Sequence, residues 1–115
     1  MKKHVMNLNP EPFEMIKSGR KTIELRLFDE KRQEIEVGDT ITFVNTEDSR
    51  KAISARVMAL HRFESFRELY ENLPLLKCGY TEADVHTASF KDMEAYYPAE
   101  RQSLYGVVGI EIELI

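Results

Sequence analysis

The stretch Ser18-Gly-Arg-Lys-Thr-Ile-Glu-Leu-Arg26 interleaves charged and apolar side chains, which is the pattern of a half-buried β-strand. We predict a strand over Lys21 to Phe28, whose successive side chains point to opposite faces of a sheet. Glu24 and Arg26 then share the polar face, and Lys21 lies at the start of the strand, where its long side chain reaches the same face. Two cations and one carboxylate on one face of a short strand indicate a binding site for a polar ligand.

The rest of the chain contains alternating strand and helix signals. The predicted strands are Val5 to Leu8, Lys21 to Phe28, Thr40 to Val44, Ala52 to Leu60 and Tyr105 to Leu114. The predicted helices run from Pro10 to about Gly19, from Ser65 to Asn72, and from Thr81 to Pro98, and a polar loop covers Asp29 to Glu36. Because the helices are grouped between strands, the pattern predicts an α+β fold with a mostly antiparallel sheet or a small barrel, not a βαβ array.

Composition places the chain among single-domain globular proteins. Its 115 residues are 43% hydrophobic and 31% charged, which suits one domain over residues 1–115. No apolar run approaches the roughly 20 residues of a membrane span, and the two lysines at the start precede no apolar stretch of a secretory signal. Cys78 is the only cysteine. These features predict a cytoplasmic location and no membrane partner.

Charge is distributed unevenly along the chain. Residues 17–32 carry six basic and three acidic side chains, although the whole chain has a formal charge of −4. A local positive segment on an acidic protein suits one small anion or a few nucleotides better than a long duplex, whose binding requires many phosphate contacts. The alternative is a solvated basic turn with no ligand.

Most motifs of metal, cofactor or nucleophile chemistry are missing from the sequence. The single cysteine and the three histidines share no zinc-ligand spacing, and no phosphate-binding loop or dinucleotide fingerprint occurs. We therefore predict no metal and no cofactor. The aromatic residues are predicted to pack in the core more often than to stack on bases, but Tyr97, Arg101 and Tyr105 flank the start of the last strand, where we expect a cleft edge.

The segment Gly19-Arg-Lys-Thr-Ile-Glu-Leu-Arg26 resembles the signature G-x-K-x-x-E-x-R of the ASCH domain family. The turn Val37-Gly38-Asp39, the pair Tyr97-Pro98 and the segment Tyr105-Gly-Val-Val108 also resemble family members, so the resemblance covers nearly the whole chain. It implies a single ASCH domain with a PUA-like fold, which is a small mixed or antiparallel β-barrel of about five strands with about three helices. It also implies a cleft that accepts RNA or a nucleotide.

The resemblance implies two hydrolytic activities as alternatives. Bacterial N4-acetylcytidine amidohydrolases of the family have the motif G-R-K-T-I-T-I-R and use its lysine, its second threonine and a distant glutamate. Lys21 matches that lysine, whereas Glu24 replaces the second threonine. Glu71 and Glu82 are candidates for the distant glutamate. Other family members are ribonucleases, so hydrolysis of RNA is a second possibility.

Three hypotheses follow for the strand and its charges. In the first, the domain binds RNA or a nucleotide, with Lys21 and Arg26 holding anionic or carbonyl oxygens and Glu24 reading the ligand. In the second, Lys21 and Glu24 are the catalytic acid–base pair of a small hydrolase. In the third, the charges form a structural ion-pair network in a protein-interaction module. The full set of predicted ligand-binding residues is Arg20, Lys21, Glu24, Arg26, Arg101 and Tyr105.

Overall fold

One five-stranded sheet organises the computed structural model, which describes residues 1–115. The strands are β1 (Lys3–Leu8), β2 (Ile23–Leu27), β3 (Thr40–Asn45), β4 (Ala52–Phe63) and β5 (Val107–Leu114). Their order in the sheet is β1-β3-β4-β5-β2, with β1 parallel to β3 and the other neighbours antiparallel. The predicted α+β class with a mostly antiparallel sheet is confirmed.

Four α-helices and three short 3₁₀ helices connect the strands. The α-helices are α1 (Pro10–Lys17), α2 (Glu30–Gln33), α3 (Phe66–Asn72) and α4 (Ala99–Tyr105). The 3₁₀ helices cover Leu75–Lys77, Val85–Thr87 and Phe90–Ala95. None of these helices has both the length and the apolar character that crossing a membrane requires.

The two edge strands approach each other, so the sheet closes into an open barrel. β1 and β2 lie at opposite ends of the strand order. Nevertheless, the Nη2 of Arg26 in β2 donates a hydrogen bond of 2.9 Å to the backbone oxygen of Asn7 in β1. A side-chain hydrogen bond therefore connects β1 and β2, which are not paired through backbone hydrogen bonds.

The polar face of β2 is the face that turns into this barrel. In the antiparallel pair with β5, Glu24 lies opposite Ile110 and Arg26 lies opposite Val108. Ile110 and Val108 belong to the larger hydrophobic core, which also includes Phe13 of α1. Since paired residues share a face, Glu24 and Arg26 project to the core side of the sheet rather than to solvent.

The opposite face of β2 packs on a second, smaller core. The three apolar side chains of β2 join Phe66 and Leu69 of α3 in this cluster; they are Ile23, Leu25 and Leu27. The predicted alternation along this strand is therefore confirmed. The strand itself is shorter than predicted, because Lys21 and Thr22 precede its first residue.

Two predicted segments between the strands were wrong. The loop predicted over Asp29 to Glu36 contains α2, because the Asp29 side chain caps it by accepting a hydrogen bond of 3.2 Å from the N–H of Arg32. The helix predicted over Thr81 to Pro98 is replaced by turns and two 3₁₀ helices. Its sequence has a second start signal inside it, the capping box of Ser89 and Asp92, which interrupts a continuous helix.

The last strand begins later than predicted. Tyr105 is the final residue of α4, and Gly106 adopts φ 74° and ψ −176° between this helix and β5. That region of backbone space is essentially restricted to glycine, because a Cβ atom clashes there. The turn at Gly106 therefore separates Tyr105 from the strand.

We expect Gly106→Ala to lower the free energy of unfolding by about 1–3 kcal/mol, the cost of holding a non-glycine residue in such a conformation. A Cβ atom at this position would also lie 3.0 Å from the backbone oxygen of Phe63. Gly19→Ala is the matched control, since Gly19 also has a positive φ of 82°, but a Cβ atom there would have no neighbour within 4 Å. Urea unfolding of both variants checks this, and an equal or larger loss for Gly19→Ala would contradict it.

Candidate functional site

A cleft of about 490 Å³ opens beside β2, between the end of β1, the start of α1 and the segment that follows α3. Its charged floor consists of Lys21, Glu24 and Arg26. Four of the five tyrosines of the chain also line it, and they are Tyr70, Tyr80, Tyr96 and Tyr97. The cleft thus combines a polar floor with aromatic walls.

Glu24 is the centre of the floor. Its Oε1 lies 2.7 Å from the Nζ of Lys21, and its Oε2 lies 2.7 Å from the Nε of Arg26. Only 5% of the Glu24 side chain is exposed, against 11% for Lys21 and 14% for Arg26. The structure therefore brings these three predicted site residues together in a single cleft.

Backbone contacts position Lys21, which lies just before β2. Its N–H donates to the backbone oxygen of Met15 in α1 at 3.0 Å. The neighbouring N–H of Thr22 donates to the backbone oxygen of Lys77 at 2.9 Å. The turn at Gly19 lets the chain leave α1 and present Lys21 at the cleft instead of extending the helix.

The two cations determine the ionisation of Glu24. Burial alone would raise the pKa of this carboxyl, but Lys21 and Arg26 outweigh burial and hold the pKa below its usual value. Burial opposes the charge of Arg26 in the same way, while Glu24 and then Tyr97 favour it, so the pKa of Arg26 is raised. At neutral pH, Glu24 is therefore an ionised carboxylate that lies beside two cations.

The floor has more N–H donors than protein acceptors, even with Tyr97 placed near the guanidinium of Arg26. The guanidinium of Arg26 has five N–H groups, of which one at Nε bonds Glu24 and one at Nη2 bonds Asn7. The ammonium of Lys21 also has three N–H groups, and its Nζ has one ion-pair partner, Oε1 of Glu24. The floor consequently offers hydrogen-bond donors to an incoming oxygen or ring nitrogen.

The other three predicted ligand-binding residues lie outside this cleft. Arg20 is exposed, and its Nε donates to the Oγ of Ser18 at 3.0 Å. The guanidinium of Arg101 lies 5.7 Å from the ring centre of Tyr105, whose hydroxyl donates to Oε1 of Glu30 at 3.2 Å. Because Tyr105 ends α4 instead of starting a strand, it faces α2 and not the floor.

The sequence patterns did not predict one wall of the cleft, which Tyr70, Tyr80 and Asp92 form. The hydroxyl oxygens of Tyr70 and Tyr80 lie 2.7 Å apart, and the Tyr80 hydroxyl donates to Oδ2 of Asp92 at 2.6 Å. Asp92 and Glu11 are the acidic lining residues besides Glu24, whereas Glu71 and Glu82 do not line the cleft. The spacing of Ser89 and Asp92 as a capping box was the one sequence signal for this wall.

Cys78 also lines the cleft, and it is buried. Burial raises the pKa of its thiol to about 11, although the nearby Lys21 lowers it. A thiol with this pKa stays protonated at neutral pH and is a poor nucleophile. The chain also has no group of His, Cys, Asp or Glu side chains arranged to hold a metal ion.

Comparison with known protein structures finds two similar proteins of the same size. The hypothetical protein PH0355 is 35% identical, with full coverage of both chains and a TM-score of 0.80. Protein PF0455 from Pyrococcus furiosus is 34% identical, with 100% of this chain and 98% of that chain covered and a TM-score of 0.74. The comparison with curated proteins finds no match.

More distant similarity extends to a structure that carries the family name. The ASCH protein from Zymomonas mobilis is 18% identical and has a TM-score of 0.66, with 97% of this chain and 67% of that chain covered, which supports the fold alone. The family model of the ASCH domain matches residues 6–115 of the present sequence. The chain therefore belongs to the ASCH domain family.

Proposed function

We propose that this protein binds RNA or a nucleotide by taking one base into the cleft beside β2. The observation that carries the proposal is the ion-pair cluster of Lys21, the buried Glu24 and Arg26 at the floor of a tyrosine-lined cleft. Membership of the ASCH domain family, which is associated with RNA binding, supports the same ligand class.

The dimensions and walls of the cleft suit a nucleobase. A volume of about 490 Å³ lies within the range of small-molecule sites, roughly 300–1,000 Å³. Tyr96 is 67% exposed at the cleft, and Tyr97 stacks on Phe66 with ring centres 5.7 Å apart. Stacking of one base on an aromatic side chain is worth about 1–3 kcal/mol and tolerates every base.

The charge of the cleft favours a base over a chain of phosphates. Lys21 and Arg26 share their charge with Glu24, and Glu11 and Asp92 add carboxyl groups to the lining. Such a lining does not accumulate the excess positive charge that several phosphates require. It fits a neutral base that accepts hydrogen bonds from the floor.

Glu24 is better suited to holding the two cations than to transferring protons. A general base works best when its pKa lies near the operating pH, but the pKa of Glu24 is lowered, and each of its oxygens already accepts one charged hydrogen bond. The replacement of the motif threonine by Glu24 also removes the hydroxyl of the amidohydrolase branch. We therefore favour binding over hydrolysis of RNA or N4-acetylcytidine.

We expect Lys21→Met to weaken the binding of cytidine 5′-monophosphate by about 10-fold or more, because it removes one charged hydrogen-bond donor worth about 1.5–3 kcal/mol. Tyrosine fluorescence is a suitable signal, since the chain has no tryptophan and four of its five tyrosines line the cleft.

Lys3→Met is the matched control for that measurement. Lys3 is exposed at the opposite end of β1 from the cleft, so its loss should leave the affinity unchanged. Equal weakening by both substitutions would indicate non-specific attraction, and unchanged binding by Lys21→Met would contradict the proposed site. Release of product from N4-acetylcytidine or RNA by the wild type, lost in Glu24→Gln, would replace binding by hydrolysis.

We expect Glu24→Gln to lower the free energy of unfolding at pH 7 by about 3 kcal/mol, because it leaves two largely shielded cations without their carboxylate. Since the pKa of Glu24 is lowered in the fold, its contribution is complete above the ordinary value of 4.5 and is lost as the pH falls below it. The difference in the free energy of unfolding between wild type and variant should therefore become smaller at acid pH. Urea unfolding at pH 7 and pH 3 tests this, and a constant or growing difference would contradict it.

A further inference from the structure

We propose that the chain of hydrogen bonds from Tyr70 through Tyr80 to Asp92, here called the relay, makes the cleft select nucleobases that carry an exocyclic amine. The inference rests on the proposed function and concerns the wall of the cleft whose floor is formed by Lys21, Glu24 and Arg26. These three side chains all line the cleft. Guanine and cytosine, which combine an amine with a carbonyl oxygen, are the bases it fits best.

The direction of the relay follows from its hydrogen-bond partners. The ionised carboxylate of Asp92 can only accept hydrogen bonds. Its Oδ2 accepts one from the N–H of Ser89 at 3.2 Å and one from the Tyr80 hydroxyl at 2.6 Å. A phenol has a single O–H, which Tyr80 thereby commits to Asp92. The 2.7 Å contact between the two phenols then requires Tyr70 to donate to Tyr80. The Tyr70 oxygen is left with acceptor capacity only.

The surroundings keep both phenols in the protonated form that the relay needs. Burial raises the pKa of Tyr80 first, and its hydrogen bond to Asp92 raises it further. Burial is also the largest influence on Tyr70, and its pKa is raised although the bond to Tyr80 acts in the other direction. Both hydroxyls therefore keep their protons at neutral pH, and the direction of their hydrogen bonds stays the same.

The floor and the wall consequently present opposite hydrogen-bonding character. Lys21 and Arg26 offer N–H donors, whereas Tyr70 and the Oδ1 of Asp92, which has no hydrogen bond in the structure, offer acceptors. A ligand that satisfies both must accept on one edge and donate on another. Carboxylates read cytosine through its exocyclic amine in this way. Uracil and hypoxanthine lack the amine and have one ring N–H on that edge, so they leave one of the two wall acceptors unpaired.

A relay that only supports the fold would affect all ligands equally. It does connect α3, which contains Tyr70, to the 3₁₀ helix Phe90–Ala95, which contains Asp92. The test must therefore measure a ratio of affinities, because a structural role changes affinity without changing selectivity. Guanosine and inosine 5′-monophosphates differ only by the 2-amino group and are the most closely matched pair.

We expect wild type to bind guanosine 5′-monophosphate about 10-fold or more tightly than inosine 5′-monophosphate, and to prefer cytidine over uridine 5′-monophosphate in the same direction. Tyr80→Phe frees the Tyr70 proton to turn toward the cleft, so the guanosine-to-inosine ratio should fall to about 1. Tyr70→Phe removes the acceptor and should lower the ratio as well. Thermal unfolding establishes that both variants are folded.

Tyr105→Phe is the control, because it removes a hydroxyl bonded to a carboxylate at a position outside the cleft. It should keep the wild-type ratio. Equal wild-type affinity for the paired nucleotides, or a ratio unchanged in Tyr80→Phe, would overturn the relay while leaving the proposed function standing. Absence of binding for all four nucleotides would overturn both.

Discussion

The carboxylate of Glu24, held between two cations inside the barrel, is the interaction on which the site depends. A carboxylate can be buried only where charged partners replace the water it loses. Lys21 reaches it from the loop after α1, and Arg26 reaches it from β2 while also bonding the backbone of β1 at Asn7. The same cluster thus joins the two edges of the sheet and forms the floor of the cleft.

Under the proposed function, one part of the cleft holds the base and another part selects it. Glu24 fixes the cations in place, so in this proposal their remaining N–H groups are already oriented before a base enters, which lowers the free-energy cost of binding. The wall with Tyr70, Tyr80 and Asp92 comes from α3 and the irregular segment after it, where these side chains form hydrogen bonds with one another. Floor and wall belong to different parts of the chain and can vary independently.

The fold class and the floor of the site were predictable from the sequence, because both depend on local pattern. Alternation along β2 placed Glu24 and Arg26 on one face, and the position of Lys21 at the start of the strand predicted that its long side chain reaches that face. Their burial was not predictable, since it follows from the curvature that brings β1 close to β2. The wall was missed because a helix was predicted where Ser89 and Asp92 form a cap, and Tyr105 was misplaced because the turn at Gly106 precedes β5.

A crystal structure of the protein with cytidine 5′-monophosphate would show directly whether a base enters the cleft beside β2. We expect the base inside the cleft, with one of its acceptors about 3 Å from the Nζ of Lys21 or a nitrogen of Arg26, and with Glu24 still between the two cations. A nucleotide bound instead at the exposed Arg20 or Arg101, with the cleft empty, would contradict it.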